Sequence, residues 1–154
     1  MKPDLEKGIH ELSLRMQQFR MSQEADPAVE DLTEREKAIL VLLHERGKMT
    51  VSQIAESNHN VSYSTISTTI TGLWRDKKMV SKTISPESQR VTIVELTEKG
   101  EKAVETYNQH RAKRFGELSK ALNVSDEERQ ILIRVLTRAI DFFDKRLKPK
   151  EVTD

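Results

Sequence analysis

Apolar residues near the start of the chain recur at alternating steps of four and three: Leu5, Ile9, Leu12, Met16 and Phe19. This heptad spacing predicts a helix from Leu5 to Met21 with a narrow apolar seam. The polar stretch from Gln23 to Asp31, which contains Pro27, reads as a linker. In Thr33-Glu34-Arg35-Glu36 a hydroxyl stands three places before a carboxylate, so each side chain can satisfy a backbone N–H at a helix start. The helix it opens carries Ala38, Ile39, Leu42 and Leu43 on one face and stops at Gly47. Thr50-Val51-Ser52-Gln53 repeats the device for a short helix reaching Ser57, with Ile54 and Ala55 inward. Lys48 to Val51 fits a short strand.

After the Asn58-His59-Asn60 break, Ser62 opens a helix to about Lys77. Its Ile66, Ile70 and Leu73 fall at i, i+4 and i+7 and form a buried face, with Trp74 at the margin. Two β-prone runs follow, Met79 to Ile84 and Val91 to Leu96, joined by the polar loop Ser85 to Arg90. Leu96-Thr97-Glu98-Lys99-Gly100 then turns the chain into a long helix from Glu98 to Leu122. Along it Val104, Tyr107, Phe115, Leu118 and Leu122 keep heptad register, interrupted by Arg111. Ser125-Asp126-Glu127-Glu128 caps a last helix with Leu132, Val135, Leu136, Ala139, Ile140, Phe143 and Leu147 on one broad face. Lys145, Arg146 and Lys148 complement its dipole, and Pro149 prevents continuation.

The order helix, turn, helix, hairpin predicts a mainly α protein with a small antiparallel β-hairpin wing (α+β). In other words, a winged helix-turn-helix is flanked by N- and C-terminal helices. Three segments result: 1–31, an N-terminal helix and linker; 32–97, the winged helix-turn-helix; and 98–154, two C-terminal helices and a tail. Charged residues make up 33% and apolar residues 36% of the 154, which suits exposed helices around narrow stripes better than a thick sheet sandwich. The chain has no cysteine, so disulfides, thiolate metal sites and thiol redox sensing are excluded. It also has no apolar run of membrane-spanning length and no signal-peptide pattern, so the expectation is a soluble, cytoplasmic protein with no membrane partner.

The charge distribution narrows the function. Net charge is only +1, yet residues 75–90 hold five cations (Arg75, Lys77, Lys78, Lys82, Arg90) against Asp76 and Glu87. Just before this basic segment, the polar face of the helix opened by Ser62 carries Ser64, Thr65, Thr68, Thr71, Gly72 and Arg75. Ser and Thr are mediocre helix formers because their hydroxyls compete for nearby backbone groups, so such a face is costly unless something reads it. A DNA major groove admits a helix, and it offers phosphates, base edges and thymine methyls to hydroxyls and Thr methyls. The candidate DNA-binding set is therefore Ser62, Ser64, Thr65, Thr68, Thr71, Arg75, Lys82 and Arg90. With few cations on the helix, discrimination is expected to rest on Ser and Thr contacts, water and DNA shape. The alternative is a winged-helix module that binds protein and touches no DNA.

The outer helices carry more apolar stripe than a compact winged helix can cover. A second copy is the simplest cover; a bundle of the three helices within one monomer is the other. The residues expected at such a dimer interface are Leu5, Ile9, Leu12, Met16, Phe19, Leu118, Leu122, Leu132, Leu136, Ile140, Phe143 and Leu147.

Taken together, the element order, the stretch Val61-Ser62-Tyr63-Ser64-Thr65-Ile66-Ser67, the wing ending Gln89-Arg90-Val91-Thr92-Ile93-Val94-Glu95 and the Leu-Thr-Glu-Lys-Gly segment at 96–100 resemble the MarR family of bacterial transcription regulators. The resemblance runs from the first helix to Leu147, and the junction after the wing is its most specific part. It implies a homodimer joined through the terminal helices that binds a pseudo-palindromic operator on double-stranded DNA and represses transcription. It also implies that Arg90 matches the wing arginine that reaches a minor groove, and that a small aromatic effector lodges between the dimerisation helices and the winged helix. The chain departs from the family where an aspartate and a basic residue commonly precede that arginine, since Ser88 and Gln89 stand there. Lys78 replaces the glycine usual before the wing strand, so a differently built helix end is expected.

Neither catalysis nor metal binding is indicated. The chain has no Gly-rich phosphate loop, no Gly-x-Ser-x-Gly elbow and no His-Glu-x-x-His, so an enzyme is not expected and no cofactor is implied. His10, His44, His59 and His110 form no i, i+4 pair, so no metal site is expected.

Overall fold

The computed structural model describes residues 4–58 and 60–147; His59, Lys148 and Pro149 of the sequence reading lie outside them. Helix α1 spans Leu5–Ser22, α2 Glu34–Arg46, α3 Val51–Glu56, α4 Tyr63–Arg75, α5 Glu98–Leu122 and α6 Asp126–Leu147. Strands β1 (Met49–Thr50), β2 (Val80–Ser85) and β3 (Ser88–Leu96) form one antiparallel sheet in the order β1-β3-β2.

The helix starts follow the hydroxyl caps. Thr50 and Gln53 exchange both bonds of a capping box, Thr50 N to Gln53 Oε1 at 2.9 Å and Gln53 N to Thr50 Oγ1 at 3.1 Å. Ser125 and Glu128 do the same at 3.2 Å each way. At α2 only half of the expected box forms. Thr33 Oγ1 accepts from Glu36 N at 3.1 Å, but the Glu36 carboxylate turns away to pair with Lys77 Nζ at 2.7 Å. An ion pair to a sequence-distant cation has displaced the local bond, and it ties the start of α2 to the chain just beyond α4.

One apolar cluster supports the winged helix-turn-helix. Ile39, Leu40 and Leu43 of α2, Ile54 of α3, and Ile66, Ile70 and Leu73 of α4 meet Val80 and Val94 of the sheet and Val104 of α5. Leu40 belongs to this core, whereas Ala38, expected inward, is exposed. Residues 23–31 are more than a linker, because Val29 and the following Leu32 are buried in the same cluster. A turn held by Ala28 N donating to Asp26 Oδ1 at 2.9 Å points Val29 inward.

The wing strands extend further than the sequence suggests. Residues Ser85 to Arg90, read as a loop, contribute to both strands and leave a two-residue tip at Pro86 and Glu87. β2 begins at Val80 instead of Met79, and α4 stops at Arg75 short of Lys77. Pairing runs from Val80↔Leu96 to Ile84↔Thr92, then jumps to Ser85↔Ser88. The jump leaves Gln89, Arg90 and Val91 as extra residues on β3, a bulge near the tip.

Between α4 and β2 the backbone turns at Lys78 with φ 57°, the left-handed region glycine prefers. A lysine thus bears the strain of a conformation that glycine adopts at less cost. Lys78→Gly is expected to raise stability by about 1 kcal/mol, checked by urea unfolding, because the left-handed conformation costs an L-residue about that much.

Three residues of the Leu-Thr-Glu-Lys-Gly segment close on this turn. Thr97 N donates to Met79 O at 3.0 Å, Thr97 Oγ1 to Lys78 O at 2.7 Å, and Lys99 Nζ to Lys77 O at 2.9 Å. A Cβ on Gly100 would lie 2.0 Å from Met79 O, so only glycine fits there. The segment is a clasp that fastens the start of α5 to the chain between α4 and β2.

The outer helices are placed differently. Among the described residues α1 and α6 bury none, and α5 buries only Gly100 and Val104, in its first turns. Leu5, Ile9, Leu12, Phe19, Leu122, Leu136, Ile140, Phe143 and Leu147 are each more than half exposed, so the three helices do not bundle on one another within this chain. No helix among the described residues is long and apolar enough to cross a membrane.

Candidate nucleic-acid interface

Helix α4 buries Ile66, Ile70 and Leu73 and turns Ser64, Thr68 and Arg75 to solvent, while Thr65 and Thr71 are half-buried at the edges of that strip. Ser62 caps the helix, its Oγ accepting from Thr65 N at 3.2 Å and lying 2.8 Å from Thr65 Oγ1.

Three threonine hydroxyls bond within the helix. Thr68 Oγ1 donates to Ser64 O at 2.8 Å, Thr69 Oγ1 to Thr65 O at 2.8 Å and Thr71 Oγ1 to Ser67 O at 2.9 Å. Thr68, Thr69 and Thr71 thus satisfy their donors one turn back, which lowers the cost of so hydroxyl-rich a face. What the strip offers outward is hydroxyl lone pairs and methyl groups. Those groups accept from base amino groups and pack on thymine methyls, whereas phosphate oxygens need donors. Arg75 is the one cation on α4.

The wing supplies positive charge from the other side. Arg90 is exposed within the bulge, and its backbone N–H donates to Ser88 Oγ at 3.4 Å. Ser88 thus holds the main chain at Arg90 through this bond within the bulge. Lys82 behaves differently from Arg90. Its Nζ sits 5.1 Å from the centre of the Trp74 ring and donates to Thr71 Oγ1 at 3.4 Å, so wing and helix touch through it.

Two histidine pairs tie α5 to the remainder of the domain. His44 Nδ1 of α2 meets Glu101 Oε1 at 2.7 Å, and His110 Nδ1 meets Asp26 Oδ2 at 2.8 Å. Burial pushes the Asp26 carboxyl up, but the Ala28 N–H, His110 and Arg114 outweigh it and hold the group below its ordinary value. Each histidine faces one carboxylate, and no group of three or more His, Asp or Glu side chains among the described residues is arranged to hold a metal ion.

The structure thus gathers Ser62, Ser64, Thr65, Thr68, Thr71 and Arg75 on one helix, and joins Lys82 to its C-terminal half. The clasp of Thr97, Lys99 and Gly100 escaped the sequence reading as a structural device, although the Leu-Thr-Glu-Lys-Gly string had marked its position. The Trp74 and Lys82 contact also went unread, because residues eight apart in a helix and a strand share no periodic signal.

A capped second helix after a short turn, followed by an antiparallel hairpin and a third strand from before the first helix of the pair, defines a winged helix-turn-helix protein. Residues 32–92 match the model of the MarR family. An uncharacterised HTH-type transcriptional regulator of Bacillus subtilis (strain 168), YdgJ, is 31% identical over 100 residues, a span of 65% of this chain and 58% of that relative. RV1404 of Mycobacterium tuberculosis has the same fold, with a TM-score of 0.74, 19% identity, and coverage of 92% of this chain and 96% of that one. Streptococcus pneumoniae FabT in complex with DNA aligns with a TM-score of 0.66 and 19% identity, over 90% of this chain and 92% of that one.

Proposed function

We propose that the chain is a homodimeric, DNA-binding transcriptional regulator that represses from a pseudo-palindromic operator on double-stranded DNA. In this reading α4 enters the major groove, Arg90 reaches an adjacent minor groove, and a small aromatic effector between the terminal helices and the winged helix causes release. The observation that carries the reading is the exposed strip of Ser64, Thr68 and Arg75 set beside a basic wing whose bulge projects Arg90. The similarity to YdgJ, an HTH-type transcriptional regulator, and to a fold solved on DNA supports it.

Selecting bound duplexes from a random-sequence pool, then titrating the winning duplex by fluorescence anisotropy, tests this directly. Affinity is expected to fall by about a thousandfold between 50 and 200 mM salt if roughly six phosphates are neutralised. Arg90→Ala is expected to weaken binding by about ten- to a hundredfold with helix content unchanged by circular dichroism. Failure to enrich any duplex would transfer the reading to the protein-binding alternative.

A further inference from the structure

We propose that Lys82 is a positioning residue that fixes the angle between the wing and α4, and through it the reach of Arg90, and that it makes no contact with phosphate. The inference rests on the reading of α4 and the wing as the DNA interface, and it changes the role of one cation within it.

The inner face of β2 runs from the core outward. Val80 is buried, Lys82 two residues on is half-buried, and Ile84 two further on is exposed. Alternate residues share a face, so Lys82 marks the point where the core ends and the free part of the hairpin begins. At that point its ammonium lies over Trp74 at 5.1 Å and donates to Thr71 Oγ1 at 3.4 Å, while Thr71 in turn donates to Ser67 O at 2.9 Å. The cross-strand partner of Lys82 is Val94, fully buried on β3, so the strand beneath it is held as well. One cation thus joins the ring of Trp74, a hydroxyl of the recognition strip and the base of the wing. Trp74 is itself 45% exposed and would be an expensive residue to leave wet without a partner.

A strut and a phosphate contact predict different salt behaviour. Removing a phosphate contact lowers the slope of log affinity against log salt by about 0.9, whereas removing a strut weakens binding with the slope unchanged. The probe is the duplex selected by the wild-type protein. Lys82→Met and Trp74→Leu are each expected to weaken binding roughly fivefold, the scale of one partly desolvated cation–π contact, with no change of slope. The double variant is expected to be no weaker than either single one, because both remove the same contact. Lys82→Arg is expected to restore affinity, since guanidinium also stacks on indole.

Trp74 is the one tryptophan in the chain, so its emission gives a readout that needs no DNA. Acrylamide quenching is expected to increase in Lys82→Met and to return to the wild-type level in Lys82→Arg. A slope lowered by about one counterion in Lys82→Met, with Trp74→Leu binding normally, would overturn the proposal, and so would unchanged quenching. If the wild-type protein selects no duplex, the DNA reading fails by itself, and the quenching series still decides whether Lys82 holds Trp74.

Discussion

Gly100→Ala is expected to destabilise the protein by about 3 kcal/mol, the upper end of what overpacking costs, and to do so without touching the strip or the wing tip. The added methyl would have to stand 2.0 Å from the Met79 carbonyl oxygen. That oxygen cannot retreat easily, because it accepts from Thr97 N at 3.0 Å and Met79 N itself donates to Leu73 O at 2.9 Å. Relief requires opening the clasp, which would leave the Met79 carbonyl and its neighbours short of donors. Urea unfolding measures the loss. A change below about 0.5 kcal/mol would show that the turn yields and that the glycine is not needed for space.

The second large effect concerns assembly. If the chain pairs and binds DNA as proposed, Ile140→Asp is expected to leave it monomeric and to abolish operator binding, although residue 140 lies on α6, outside the winged helix-turn-helix. Leu136, Ile140 and Phe143 fall at i, i+4 and i+7 on α6 and are 58%, 59% and 59% exposed, so one face awaits a cover. Twofold symmetry would place the new carboxylate at the interface twice, each copy losing several kcal/mol on desolvation. Light scattering reports the mass, and circular dichroism should show helix loss in the variant, because most helical stability in a protein comes from packing of an amphipathic face. A wild-type protein that remains monomeric and fully helical at micromolar concentration would refute the dimer.

Much of the fold could be read from residue order because its signals are local. Thr50 with Gln53 and Ser125 with Glu128 form the boxes their spacing implies, and Ile66, Ile70 and Leu73 are buried as their period requires. What escaped depends on contacts between distant segments. Glu36 abandons its capping role for Lys77, forty-one positions later, and Val29 leaves an apparent linker for the core. The long polar loop at the wing dissolved into strands because cross-strand pairing overrides the weak β-preference of Ser and Gln. In the candidate site, residue types and the helix face were legible from spacing alone. The direction of the hydroxyl protons was not, since it depends on the carbonyl one turn back, and the fate of Lys82 depended on which ring stood opposite it.

The clasp between α5 and the turn at 77–79 accepts on main-chain carbonyls throughout: those of Lys77, Lys78 and Met79. Carbonyls are the same whatever side chain they carry, so this join tolerates change in the residues it grips while demanding its own Thr97 and Gly100. That explains how a lysine can occupy a glycine's place at 78 without dislodging the wing. It also means that side chains on α4 and the wing can change one after another with the frame that holds the two together left in place.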